Sequence, residues 1–369
     1  MIRPAARSAL LSCATAACVP VAKVDSSAPP AGGADSAGPG QRAAAVITQA
    51  MDYATGAFSV VDLDDHAVQD GLFPVAGDAT VQADGDRVHQ INRLGTDSVR
   101  AYTAGDWAAP LWEVSTGTRS NPHDARRCGE GLYVSLYEEN HILVLDPESG
   151  ARVGAVDLSA QDDGDGVEAS DLLVIDGALY VGLQRMARTG STWGANGGRV
   201  LAVDCTTGLA GQAWPAGGNT RLHGTWEGQP LASGVAWGEL PTGVYLIDTI
   251  AGRAHAVVDL SGLGQAPIDV AVAGDQALIV TLADDLSGSA VWCADLRSGS
   301  LQELERTTSY LTSASANDRG EAWVTAHWGW VDPEGSEAGL LVYDIESCAR
   351  LNPGAPIRTA LGPVALAFY

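Results

Sequence analysis

The chain has 369 residues, of which 46% are hydrophobic and 44 are glycine, and its 45 acidic and 21 basic side chains give a formal net charge of -24. A surface of that sign repels phosphate backbones, which argues against nucleic acid as a partner. No apolar run beyond the N-terminus approaches the length of a spanning helix, so the body of the chain is expected to stay out of the bilayer.

The first residues, MIRPAARSALLSCATAAC, place Arg3 and Arg7 ahead of a short apolar run and small residues. That is the layout of a secretory signal, so the chain is expected to be exported, with residues 1–18 as the signal. LLSC ending at Cys13 and TAAC ending at Cys18 both approach a bacterial lipobox, which makes Cys18 or Cys13 the candidate lipid-bearing residue. Cleavage without lipid attachment is the alternative. Residues 19–43 are Pro, Gly, Ser and Ala with almost no large apolar side chain. Such a segment buries too little surface to offset its ordering entropy and is expected to act as a flexible tether.

Residues 44–369 carry one phrase repeatedly: FSVVDLDD, ILVLDPESG, VLAVDCTTG, VYLIDTIAG, VWCADLRSG and LLVYDIESC. Each is an alternating apolar run meeting an aspartate and a turn, at Asp62, Asp146, Asp204, Asp248, Asp295 and Asp344. The last five recur about every 44 to 58 residues, and the doubled first gap leaves room for a degenerate copy at Val99–Tyr102. Seven such units predict an all-β, seven-bladed β-propeller. A β-sandwich would not explain seven similar units of this length.

The aspartate-ended phrase is expected to be the third strand of each blade. Second strands are predicted at 45–50, 87–91, 132–137, 179–184, 230–237, 277–283 and 321–327, and first strands beginning near 78, 124, 171, 222, 269 and 312. The seventh first strand is missing at the N-terminal end and reappears as PVALAFY, the last seven residues. The C-terminal strand should therefore complete the N-terminal blade and close the ring. Four cysteines lie in the blades, Cys128, Cys205, Cys293 and Cys348. An exported chain permits disulfides, but Cys205 and Cys348 fall at equivalent turns of non-adjacent blades, and the sequence assigns no bridge.

Between Asn121 and Met186, the pieces NPHD, LYVSLYEENHILVLDPESG, VDLSAQDDGDGVEASDLLV and LYVGLQR resemble bacterial YVTN-type propeller proteins, described as cell-surface proteins or lipoproteins. The linker core from Asp163 to Gly166 and Glu168 match, while Val167 stands where the family tends toward Pro-Glu. Elsewhere the likeness is at repeat level. The resemblance implies a secreted seven-bladed propeller and brings no settled enzymatic activity.

In a propeller the starts of first strands and the connections between second and third strands share one face around the central channel. Asp78, Asp124, Asp171 and Asp269 align there, with His223 at the corresponding place in the fifth blade. Four carboxylates and an imidazole would suit a hard cation such as calcium, or a cationic substrate. Alternatively, each aspartate accepts hydrogen bonds from main-chain amides of a neighbouring blade, and Arg119, Arg126, Arg127 and Arg185 could pair with the acids. Asp163, Asp165 and Glu168, with Asp162, form a second acidic cluster between the third and fourth blades, read either as a metal site or as a solvated loop. Two long insertions, Arg185 to Arg199 with Trp193 and His327 to Ala338 with Trp328 and Trp330, either add a recognition palette of Trp and Arg to the same face or fold their indoles back onto the ring.

No catalytic motif is present, and no catalytic residue is assigned. Neighbouring strand residues point to opposite sides, so His123 and Asp124 are not expected to serve one site. The leading expectation is a lipid-anchored binding or scaffold module, monomeric, whose loop-rich face takes a protein, glycan or small ligand. A metal-assisted lactonase or hydrolase at the acidic mouth and a structural surface-layer component are the alternatives. Calcium is the candidate cofactor, and membrane contact is expected only through the N-terminal lipid.

Overall fold

The computed structural model describes residues 40–164, 166–189, 192–328 and 338–369. Gly40–Tyr369 forms one compact unit, built of seven four-stranded antiparallel sheets and one extra two-stranded hairpin among the described residues. From the channel outward, blade 1 runs Gly362–Phe368, Ala43–Gln49, Gly56–Asp62, Val68–Val75. Blade 2 runs Ala79–Asp84, Arg87–Asn92, Ser98–Thr103, Trp112–Ser115. Blade 3 runs Pro122–Cys128, Gly131–Leu136, His141–Leu145, Arg152–Asp157. Blade 4 runs Ala169–Ile175, Ala178–Leu183, Arg199–Asp204, Ala210–Pro215, with the hairpin Met186–Thr189 and Thr192–Ala195 between its second and third strands.

Blade 5 runs Gly218–Trp226, Gln229–Val235, Gly243–Asp248, Arg253–Asp259. Blade 6 runs Gln265–Ala273, Gln276–Ala283, Ser289–Asp295, Ser300–Thr307. Blade 7 runs Tyr310–Ala316, Glu321–His327, Gly339–Asp344 and the short Ala349–Arg350. All seven second strands and all seven third strands fall where the sequence put them. The first strands of blades 3 to 7 begin two to four residues earlier than expected.

The strand chemistry follows position in the blade. Second strands such as Ala43–Gln49 and Gly131–Leu136 are buried along their whole length, because neighbouring blades cover both faces, and they read as continuous apolar runs. Outer strands such as Arg152–Asp157 face solvent except at Val156. The core lies between blades. Leu278 and Val280 of blade 6, for example, pack with Ala314, Val324 and Tyr343 of blade 7.

The repeated aspartate ends the third strand for a local reason. In all six copies one carboxylate oxygen accepts the amide three residues on: Asp62 takes Asp65 at 3.3 Å, Asp146 takes Ser149 at 2.8 Å, Asp204 takes Thr207 at 2.7 Å, Asp248 takes Ala251 at 2.7 Å, Asp295 takes Ser298 at 2.7 Å and Asp344 takes Ser347 at 2.7 Å. Each closes the turn to the outer strand by satisfying amides that have no strand partner.

Ring closure is as the sequence requires. Gly362–Phe368 pairs antiparallel with Ala43–Gln49, Ala44 opposite Phe368 and Gln49 opposite Gly362, and the Tyr369 carbonyl accepts the Arg42 amide at 2.8 Å. At the start of this strand Gly362 lies against the His327 ring, where a Cβ would sit 2.6 Å from the imidazole. The tight approach requires glycine. Two disulfides join neighbouring blades: Cys128 to Cys205 (blades 3 and 4), with Cα atoms 5.5 Å apart, and Cys293 to Cys348 (blades 6 and 7), with Cα atoms 5.9 Å apart. The pairs eluded sequence reasoning because Cys128 ends an innermost strand while Cys205 follows a third strand, so repeat alignment alone does not show that they meet.

Deleting residues 362–369 strips the innermost strand from blade 1 and exposes the edge of Ala43–Gln49. The truncated chain should lose cooperative thermal unfolding and become protease-sensitive, as circular dichroism and limited proteolysis would show. The double substitution Cys293→Ser, Cys348→Ser, which opens a loop of 55 residues, should cost about 2–4 kcal/mol in denaturant unfolding. Unchanged stability after reduction would contradict a structural role for either bridge.

Candidate functional site

The innermost strands enclose a cavity of about 370 Å3 that takes in Asp78, Asp124, Asp171, Asp269 and His223 together. The channel site singled out from sequence is therefore one place, but its carboxylates are already engaged. Asp124, 4% exposed, accepts its own following amide, Ala125, at 2.7 Å and the Leu172 amide of blade 4 at 2.8 Å. Asp171 accepts the Leu222 amide of blade 5 at 3.3 Å, and Asp269 the Ala314 amide of blade 7 at 2.9 Å. Each of these three carboxylates thus reaches across to the innermost strand of the next blade. Those amides sit on strand edges with no ladder partner, and burying them unpaired would cost about 1–3 kcal/mol each.

Cations complete the ring. Arg221 Nε binds Asp171 at 3.0 and 3.2 Å, Arg93 Nε binds Asp78 at 2.9 Å, and Arg126 Nε lies 3.4 Å from Asp124. His223 donates or accepts through Nδ1 to Asp269 at 2.9 Å and through Nε2 to Ser233 at 2.7 Å. Burial opposes ionisation of Asp171, but Arg221 and His223 outweigh it and hold the acid below its ordinary range. At Asp124 burial dominates and pushes the carboxyl up, against Arg126 and the two amides.

The register corrects the alignment in blade 5. Leu172 and Leu222, whose amides are capped, follow Asp171 and Arg221, so Arg221 rather than His223 stands at the Asp171 position. The bulge between Pro122 and Ala125 also breaks strict alternation. As a result, His123 and Asp124 both border the cavity, contrary to the expectation that neighbours face opposite ways. His123 stacks on Tyr137 with ring centroids 4.5 Å apart, and burial, reinforced by Arg93, lowers its pKa to about 3. Of the arginines offered as partners from sequence, Arg126 serves the channel. Arg127 instead faces Glu148, and the Arg119 main-chain amide binds Asp97. Arg93 and Arg221 were missed. Arg93 sits in the connection after the second strand of blade 2, and Arg221 lies one residue before the assumed start of a first strand.

The second acidic cluster ties the linker down. Asp163 pairs with Arg185, which is 5% exposed and donates to the Gly197 carbonyl at 3.1 Å, while Glu168 accepts the Met186 amide. Asp162 accepts the Gly164 and Gly166 amides at 2.8 and 3.0 Å, which hold its carboxyl below the ordinary value. Asp165 lies outside the described residues. Among the described residues no three His, Cys, Asp or Glu side chains group as metal ligands. Trp193 belongs to the strand Thr192–Ala195 of the blade 4 hairpin, Trp328 is half-buried with its ring 5.4 Å from His327, and Trp330 lies outside the described residues. The lipobox cysteines Cys13 and Cys18 do as well.

Neither a protein-family model nor a curated protein matches the sequence. Solved structures do. A protein from Lactobacillus plantarum aligns over 89% of this chain and 99% of its own at 13% identity and a TM-score of 0.61. Streptogramin B lyase aligns over 78% of this chain and 91% of its own at 12% identity and 0.53. Apo AztD from Citrobacter koseri aligns over 89% and 98% at 14% identity and 0.51. At such identities the likeness shows the propeller fold and not the activity.

Asp124→Ala removes the acceptor of the Leu172 amide and leaves Arg126 without its counter-charge, so it should cost about 3 kcal/mol in denaturant unfolding. A second prediction concerns pH. His89, 2% exposed, has its pKa lowered to about 4 by burial and by Arg126 and Arg87, and His123 behaves alike. Both imidazoles are neutral in the fold at pH values where the unfolded chain, near 6.5, takes up protons. Their contribution to stability is thus complete above pH 6.5 and shrinks as pH falls toward 4. Across that window His89→Gln should lose less melting temperature than the parent protein.

Proposed function

We propose that this chain is an exported, tethered β-propeller of YVTN type that works by binding, with its ligand held at the loop-rich mouth of the channel. The observation that carries this reading is the commitment of the channel carboxylates. Asp124, Asp171 and Asp269 satisfy main-chain amides of other blades, and Asp78 is ion-paired with Arg93. A hydrolase would need at least one base or metal ligand poised toward a substrate or an activated water.

Residues 1–18 serve in this reading as the export signal, residues 19–43 as the tether, and Cys18 or Cys13 as the lipid-bearing residue. Two inter-blade disulfides support an oxidising compartment. The acidic surface, with net charge -24, supports a location or partner other than nucleic acid.

The test compares the parent with Asp124→Ala and Asp171→Ala. Against a panel of lactones and esters, with calcium or with chelator, the parent should show no turnover that either substitution abolishes, and both variants should melt at lower temperature. Turnover lost in a variant of unchanged stability would overturn the binding reading. A rise in melting temperature with calcium that chelator reverses would restore the metal site. Intact-mass measurement of the exported protein should find a lipid-modified cysteine at its N-terminus.

A further inference from the structure

The hydrogen-bonding capacity of the channel mouth is one-sided. Among the described residues, both oxygens of Asp124, of Asp171 and of Asp269 accept at least one hydrogen bond, and Asp78 Oδ2 accepts none. The arginines are less used. Arg221 engages Asp171 through Nε alone, Arg93 engages Asp78 through Nε and Nη2, and Arg126 contributes Nε at 3.4 Å. Each guanidinium carries five donors, so Arg221 and Arg126 keep both Nη groups, and Arg93 keeps Nη1, without a partner among the described residues. All three line the same cavity, and their side chains are 31–35% exposed. His123 stands within electrostatic reach of both Arg93 and Arg221. Among the described charged groups of the mouth, the unengaged donors of Arg93, Arg126 and Arg221 outnumber the one unengaged carboxylate oxygen, so a ligand that fits brings acceptors.

The other side of the cavity has no charge. Thr312, Ser313 and Ala314 of blade 7 and Val364, Ala365 and Leu366 of blade 1 form that wall. Its rim carries two aromatic rings, Tyr310 and Tyr53. Tyr53 is 58% exposed and holds a left-handed backbone, φ 59°, an unfavourable conformation for a bulky residue that is retained where surrounding structure enforces it. Its ring is presented to solvent beside the opening. A cavity of about 370 Å3 is within the range that encloses a small organic molecule.

We infer that the channel mouth binds a planar organic carboxylate, its acid group held by Arg221 and Arg93 beside His123 and its apolar ring lying against the uncharged wall under Tyr53 and Tyr310. This deepens the binding reading and rests on it. Bidentate arginine contact suits a carboxylate, and the uncharged wall with the rings of Tyr53 and Tyr310 adds a preference for a ring over a bare inorganic anion. The overall acidity of the protein works against long-range capture of anions, so binding should be short-ranged and should depend on the paired arginines.

Benzoate is the probe, titrated into the whole purified protein and followed by calorimetry and by the His123 imidazole resonances. Benzoate should bind and move those resonances, while neutral benzamide and cationic benzylamine should bind at least tenfold more weakly. Arg221→Gln and Arg93→Gln should each weaken benzoate at least tenfold, and Tyr53→Ala should weaken benzoate without affecting inorganic phosphate. Two variants guard against loss of fold, since Arg93 pairs at the rim and its substitution leaves the Asp171–Arg221 contact in place; circular dichroism verifies each. Absence of benzoate binding, equal binding of benzylamine, or phosphate binding as tightly as benzoate would overturn the inference. Failure of the binding reading itself has a different signature, turnover that depends on Asp124 or Asp171.

Discussion

Everything in this ring hangs on a problem at its innermost edge. Each blade ends at the channel in a strand whose inward main-chain groups have no further strand to pair with, and an unpaired amide in a confined channel is costly. The chain meets this with side chains rather than with water alone. Asp124, Asp171 and Asp269 cap amides on other blades, which links blades 3 to 4, 4 to 5 and 6 to 7 by charge-assisted bonds. Arg126 and Arg221 then supply counter-charges to Asp124 and Asp171, and a ring nitrogen of His223 hydrogen-bonds Asp269. Polarity of the channel is thus a consequence of how the blades are joined.

That order of causes changes what the channel can do. An acid ring read from sequence looks like a cation site, because sequence shows acceptors without showing what they accept. With the main chain in place the acceptors are consumed, and the chemistry left over belongs to the arginines. The same reversal applies to the acidic linker, where Asp163 and Glu168 secure Arg185 and Met186. In both places a carboxylate cluster anchors the polypeptide itself.

The fold was legible because the propeller repeats a local rule. An aspartate that closes the turn after an apolar alternating run serves the same purpose in six of the seven blades, so Asp62, Asp146, Asp204, Asp248, Asp295 and Asp344 stand out without any alignment. Even the degenerate second blade keeps strand Ser98–Thr103 in register, since burial of Val99 and Ala101 suffices where the aspartate is absent. Closure by the final strand was legible for a topological reason: a ring with an open edge is unstable. The site was only half legible. Its level in the barrel came from strand order, but bulges at Pro122–Ala125 and Gly218–Arg221 shift side chains by a residue, and no periodicity in the sequence announces a bulge. That is why His123 faces the cavity and why Arg221 replaced His223 at the key position.

The disulfides follow from the same geometry of neighbours. Blades touch along their lengths, so residues distant in the repeat phase meet when one blade's innermost strand or edge turn passes the next blade's outer turn. Cys128 and Cys205 are such a pair, while Cys293 reaches Cys348 from within the third strand of blade 6. Neither bridge involves blade 1, where Gly362–Phe368 joins the two ends of the chain by a full ladder with Ala43–Gln49 inside one sheet. Covalent links thus reinforce junctions held otherwise by side chains, whereas the two chain ends are held by main-chain pairing. A ring fastened in this way keeps its innermost strands at fixed spacing. Fixed spacing is what allows arginines from blades 2, 3 and 5 to present their spare donors to one small cavity without further ordering cost when a ligand arrives.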